Sequence, residues 1–294
     1  MKVILSRKGF DSSFGRYPSP IMPDGSLLSL PIPVTQEGEQ GIPYGNLIFD
    51  GQPISEIIDQ LSDHQFNYQN AHLDPDLDET RFIPRPNGWL PIFGQTGRSQ
   101  SHLEKQRVAE GDLFLFYGWF RRVDNAMHYA RPRKDLHVIF GWLQIGCSYN
   151  VNEQFEDLPP WVNYHPHVIN RDLYHHLYHH NKIYIPSEQL SLPGKNLHLP
   201  GGGTCPRFKD ILQLTDPDEQ SNRRSYWRLP QWFYPFGNPP RTPLSYHPDL
   251  RRWELHNDHV ILKTKSPGQE FVFNTDEYPE AMAISWVRSL FEDE

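Results

Sequence analysis

Val3, Ile4 and Leu5 form an apolar run that stops abruptly in Ser6-Arg7-Lys8-Gly9-Phe10-Asp11-Ser12-Ser13-Phe14-Gly15-Arg16, which predicts a buried first strand feeding a polar, glycine-bearing loop. From Tyr17 to Tyr44, prolines at Pro18, Pro20, Pro23, Pro31, Pro33 and Pro43 leave room only for short strands or extended coil. Ile54, Ile57, Ile58 and Leu61 then repeat at helical spacing and predict one amphipathic helix beginning near Pro53 or Ser55. The runs Gly111 to Phe120 and His137 to Gly146 are rich in β-branched and aromatic residues and bounded by glycine, so they read as two core strands that pair. The charged stretch from Arg121 to Asp135 is their long connection. Further strands are expected at Lys182 to Ile185, Ile211 to Leu214, Val260 to Lys263 and Glu270 to Phe273. A closing helix from about Glu280 to Phe291 would present Ile284, Val287, Leu290 and Phe291.

Composition narrows the class. The chain has 294 residues with 28 prolines, close to twice the usual frequency of about 5%, which favours short strands joined by stiff loops. The expectation is an α+β fold with a bent or barrel-like, mostly antiparallel sheet, a few helices and long Pro-rich loops. No linker divides the sequence, so one domain over residues 1–294 is expected. No window approaches the roughly 18 apolar residues of a membrane span, and Met1 to Lys8 lacks the long apolar region of a signal peptide; a cytoplasmic protein with no membrane partner is expected. Two cysteines, Cys147 and Cys205, are too few for a disulfide framework or a four-thiolate zinc site. A formal charge of −8 argues against a general duplex-binding surface but leaves a local basic pocket open.

The chemistry concentrates in a few segments. The loop from Arg7 to Arg16 combines Arg7, Lys8, Arg16, hydroxyls and glycine backbone beyond a strand end, which suits a phosphate or another anion; it has neither the Walker spacing nor the dinucleotide fingerprint. Asp11 is its only carboxylate. Ala71-His72-Leu73-Asp74-Pro75-Asp76-Leu77-Asp78 supplies ligand types suited to divalent ions. A calcium loop is excluded, because Glu79 occupies the place of the turn glycine and Arg85 that of the terminal acid. In an extended segment His72, Asp74 and Asp76 would project to one side, as a metal site or as a base held by acids, although the alternative is a solvated acidic turn. Six of the fifteen histidines fall between His165 and His180, where His175 with His179 and His176 with His180 have one-face helical spacing. No Glu completes a metalloprotease motif, and the tract reads as structural or incidental. Leu199 to Cys205 with its triple glycine reads as a flexible turn. Trp119 offers a flat face for stacking a base, and Gln269-Glu270 beside a glycine turn could read a base edge and move a proton.

Several of these segments taken together, namely Lys2 to Asp11, Pro18-Ser19-Pro20-Ile21, Pro23-Asp24-Gly25, His72 to Leu77, Gly111 to Phe120, Gly141-Trp142 and Gly268 to Val272, resemble the third nucleotide-modification-associated domain family of bacteria and phages. The resemblance spans nearly the whole chain and implies a role in nucleobase modification or phage defence. On that reading the protein binds a nucleotide, or a flipped or single-stranded nucleic-acid base. Arg7, Lys8 and Arg16 would hold phosphate, Trp119 would stack the base and Gln269 would bond its edge. Asp11, His72, Asp74, Asp76 and Glu270 are then the candidate catalytic groups, with His72, Asp74 and Asp76 the candidate ligands of a divalent metal ion. The alternatives are a non-catalytic reader of modified nucleic acid and a metal-dependent nuclease or phosphohydrolase.

Overall fold

The computed structural model describes residues 1–80, 83–265 and 270–292. Its centre is a sheet of eight strands: β1 (Lys2–Arg7), β2 (Ser19–Ile21), β3 (Phe93–Thr96), β4 (Leu113–Arg122), β5 (Leu136–Asn150), β6 (Asn181–Pro186), β7 (Gly202–Thr204) and, after a smaller sheet of three short strands, β8 (Glu270–Asn274). The order is β8-β1-β4-β5-β6-β3, with β2 added to β4 and β7 to β5. β1 runs parallel to β4 and β2 does likewise, while every other pairing in this sheet is antiparallel. The sheet curls into a half-barrel. Register shifts at Phe116/Tyr117 and Ile185/Pro186 mark bulges, which increase local twist and bend a sheet on itself.

The apolar runs form these strands because they are buried on both faces. Val3, Ile4, Leu5, Phe114, Leu115 and Phe116 are all inaccessible, and at roughly 1.5–3 kcal/mol per fully buried large side chain this burial anchors the sheet. The predicted helix is α1 (Ile54–Leu61), and its four apolar positions close a second core with Phe10, Leu30 and Tyr44. The other helices are α2 (Gly97–Lys105), α3 (Pro166–Ile169), α4 (Arg171–Leu177) and the closing α5 (Glu280–Ser289), which buries Ile284, Val287 and the following Leu290.

Three expectations are corrected. Asp210–Leu212 is a 3₁₀ turn, not a strand: it buries Leu212 and leaves Ile211 exposed, so its apolar residues pin a connection. The triple glycine is strand-like. Gly202 to Thr204 pair with Leu143 to Gly141, and a Cβ on Gly201 would sit 2.0 Å from the Ser187 carbonyl oxygen; glycine permits a close backbone approach there. The helical histidine pairs do not form, because α4 (Arg171–Leu177) ends before His179 and His180. Among the described residues no helix is long and apolar enough to cross a membrane.

Candidate metal centre and anion pocket

A cavity of about 330 Å³ opens where β1 ends. Arg7, Lys8 and Asp11 from the first loop, His72 and Asp74, Gln95 and Thr96 at the end of β3, and His167 all line it. β1 and β3 lie near opposite ends of the strand order, and the curled sheet brings their last residues to one cavity. Loop and helix residues then complete the walls.

Asp74 is buried, and its two oxygens have different surroundings. Oδ1 accepts a hydrogen bond from the backbone N–H of Gly94 at 2.7 Å and lies 3.3 Å from His165 Nε2. Oδ2 faces His72 Nε2 at 3.9 Å and His167 Nε2 at 3.6 Å. The outer nitrogen of each imidazole is occupied. His72 Nδ1 donates to Glu39 Oε1 at 2.8 Å, and Glu39 also accepts from the Tyr174 hydroxyl at 2.6 Å. His167 Nδ1 donates to Asn181 Oδ1 at 2.8 Å, since the Asn181 amide donates to the His167 carbonyl and so turns its oxygen to the ring. With both outer nitrogens donating, each neutral imidazole aims a bare Nε2 lone pair at a carboxylate oxygen. Three electron-pair donors converge stably only around positive charge, either an added proton or a metal ion.

The donor atoms of His72, Asp74 and His167 lie within 4.8 Å of one another. Ligand atoms on a tetrahedral ion with bonds near 2.1 Å would be about 3.4 Å apart, so small side-chain movements would close the set. Two imidazoles and one carboxylate, each oriented by an outer partner and open on one side to a cavity, are the ingredients of a reactive rather than a closed structural metal site.

The electrostatics follow from these contacts. Burial alone would raise the Asp74 carboxyl, but the imidazoles of His165 and His167 at 3.3 and 3.6 Å outweigh it and hold the group well below the usual carboxylate range; for His167 this requires a proton on Nε2, the added positive charge that the three donors call for. Glu39 shows the same balance: burial opposes the charge, and His72 and Tyr174 more than offset it. Burial pushes His165 down to about 4, which keeps its ring neutral. Its Nδ1 faces the backbone N–H of His167, leaving Nε2–H directed at Asp74.

Other expected residues take different places. Asp76 does not line the cavity. The Asp74–Pro75 peptide is cis, the segment is not an extended strand, and the Asp76 carboxylate is held by the Arg85 guanidinium and the Tyr164 hydroxyl at 2.7 Å. Asp76 therefore stands apart from the cluster that His72 and Asp74 form, and His167, inside the tract read as incidental, completes that cluster. Asp11 Oδ1 accepts from the backbone of Ser13 and Phe14, and Oδ2 lies 3.3 Å from Arg7, so its carboxylate shapes the loop. Glu270 is buried behind the cavity. Its Oε1 accepts from Lys8 Nζ at 3.3 Å and Gln95 Nε2 at 2.5 Å, while Oε2 has no hydrogen-bond partner among the described residues. Arg16 is exposed and outside the cavity lining, as is buried Trp119, whose ring carries the Arg224 guanidinium at 4.3 Å. The aromatic rings that do line the cavity and reach solvent are Phe14 and Tyr178. Gln269 lies outside the described residues.

Sequence reasoning missed His167, Glu39, Tyr174 and Asn181. The alternation His165-Pro166-His167 was the available signal, since it separates two imidazoles from the helical pairs that follow.

A model of nucleotide modification associated domain 3 matches residues 2–274, and the chain belongs to that family. Searches of the curated proteins and of the solved structures found no match.

Proposed function

We propose, taking that membership as the premise, that this protein is a divalent-metal-dependent enzyme acting on a nucleotide held in the cavity at the end of β1. The observation that carries the reading is the convergence of His72 Nε2, His167 Nε2 and Asp74 Oδ2 on one point beside two cations, Arg7 and Lys8. A divalent ion bound there would supply Lewis acidity to a substrate oxygen or a water. The chain's own groups do the rest. Glu39, with Tyr174, and Asn181 hold the imidazoles with Nε2 inward, and the Gly94 N–H donates to Oδ1 of Asp74, with His165 Nε2 3.3 Å away, so that Oδ2 stays available.

Arg7 and Lys8 bring positive charge to the phosphate side. The Glu270 carboxylate, itself held by the Gln95 amide, accepts from the Lys8 ammonium at the cavity wall, so its orientation is set before substrate arrives. Phe14 and Tyr178 are the rings available to pack against a flat base at the mouth. In this reading Glu270 is a positioning residue, and stacking belongs to Phe14 and Tyr178 in place of Trp119.

The test is metal-dependent stabilisation and turnover. Thermal unfolding of the wild type with Zn²⁺, Mn²⁺ or Fe²⁺ should show an increase in Tm with at least one ion, and Asp74→Asn should lower that ion's affinity by 100-fold or more. Incubation with nucleotides and a short single strand, followed by mass analysis, should give a product that chelator abolishes. A mass change on the base supports modification, and backbone scission would replace it with phosphoester cleavage. Equal behaviour of the wild type and Asp74→Asn with every ion would overturn the reading.

A further inference from the structure

The end of β4 and the connection that follows it to β5 take no part in the cavity, yet they concentrate positive charge. Residues 121–134 hold Arg121, Arg122, Arg131, Arg133 and Lys134 against a single acid, Asp124: five cations less one anion leave a surplus of four, within a chain of formal charge −8. Such a bank attracts a polyanion wherever the protein's own acids leave it unneutralised. Neutralisation is partial. Asp135 accepts from Arg121 Nε at 2.7 Å and from Arg133 Nε at 2.9 Å, and one carboxylate serves both guanidiniums. The Arg133 side chain remains 61% exposed.

This bank is joined to the cavity by the first loop. Arg224 donates to the Ser12 hydroxyl at 2.6 Å and lies over the Trp119 ring at 4.3 Å, two residues before Arg121 in β4. Ser12 sits between Asp11 and Phe14, both of which line the cavity, and Asp11 pairs with Arg7. Arg224 lies within electrostatic reach of the cations Arg7 and Arg133 and of the carboxylates Asp135 and Asp11 that partner them. Positive groups thus run from Lys8 and Arg7 through Arg224 to Arg133 and Arg121, and only the first two touch the cavity.

We infer that the substrate is one residue within a single nucleic-acid strand, whose backbone leaves the cavity over Ser12 and Arg224 and lies along the Arg121–Arg133 bank. The inference rests on the nucleotide reading above and adds the polymer to it. A free mononucleotide has no phosphate to place on Arg224 or Arg133, whereas a strand has one per residue. Guanidiniums held by a carboxylate or stacked on an aromatic ring present their remaining N–H groups in a fixed fork that suits phosphate oxygens. One narrow bank beside a single-residue cavity suits a single strand, because a duplex would carry its second backbone over an otherwise acidic protein.

Fluorescence anisotropy of a labelled 12-residue single-stranded DNA on the full chain tests this, with deoxynucleoside monophosphate binding measured by calorimetry on the same preparations. The 12-mer should bind at least tenfold tighter than the monophosphate. Arg133→Ala, an exposed change that leaves the fold intact, and Arg224→Ala should each weaken the 12-mer about tenfold and leave the monophosphate unchanged. Each should also flatten the slope of log K against log salt by about 0.7, the single-strand increment per lost phosphate contact. Equal affinities for the 12-mer and the monophosphate, an unchanged 12-mer in both variants, or displacement of the 12-mer by polyglutamate as effectively as by unlabelled DNA would each overturn the strand inference. Failure of the nucleotide reading is separately visible: the monophosphate would not bind, and Asp74→Asn would leave the response to metal ions unaltered.

Discussion

Asp74 and Asp76 are two residues apart, both buried, and chemically identical, yet their surroundings divide structure from chemistry. Asp76 is saturated: Arg85 grips both oxygens, Tyr164 donates to one, Trp89 donates to the Tyr164 hydroxyl at 2.6 Å and lies against the guanidinium at 4.2 Å. Asp74 is satisfied on Oδ1 alone, and its Oδ2 looks across at two imidazole nitrogens whose outer positions are taken. A buried charge with a complete shell holds a fold together. A buried charge with an oxygen left facing other donors is poised to receive something.

That contrast is broken most severely from the Asp76 side. Arg85→Ala leaves an uncompensated buried carboxylate, and removing one partner of such a pair costs about 3–5 kcal/mol. Urea unfolding should show a loss of that size, with little change in the remaining protein's affinity for metal ions. Asp74→Asn should do the reverse, sparing stability while removing the response to ions; equal destabilisation by the two changes would erase the distinction.

A finer cut falls on the outer partners of the imidazoles. Glu39→Gln keeps the shape but weakens the hold on His72 Nδ1, and metal affinity should fall about 10- to 100-fold by calorimetry, with Tyr174→Phe smaller in the same direction. No change on titration would mean that His72 is oriented without Glu39.

The smallest effect is a pH slope shared by both halves of the contrast. His137 and His247 are buried away from both carboxylates, and burial lowers each imidazole, His247 to about 4. Their folded values lie below the unfolded value of about 6.5, so the unfolded chain takes up protons first as pH falls. Their contribution to stability is therefore full above about pH 6.5 and lost as pH falls below it, toward about pH 4 for His247, at up to about 1.4 kcal/mol per pH unit for each histidine. Arg85→Ala should lower the whole curve and leave this part of its slope unchanged; a flattened slope would tie the histidines to the Asp76 cluster.

Local pattern was enough for the strands beginning at Lys2, Leu113, Leu136 and Asn181, for α1 and for α5, because burial on both faces or on one helical stripe is written into neighbouring residues. It also named Arg7, Lys8, His72 and Asp74, which the fold gathers into one cavity. It grouped Asp76 and Trp119 with them, whereas the fold sets both outside the cavity lining, since residue type says what a side chain can do but not which partner reaches it first. Arg85, nine residues along, holds Asp76, and Arg224 arrives from far along the chain to cover Trp119. Glu270 finds Lys8 across a separation of 262 residues. His167 reaches Asp74 because α3 (Pro166–Ile169) lies beside β6 and β3, a placement made by strand pairing far from either residue in sequence. Elements follow from short-range periodicity, whereas a site is a set of long-range contacts, and the curl of the sheet brings those contacts together.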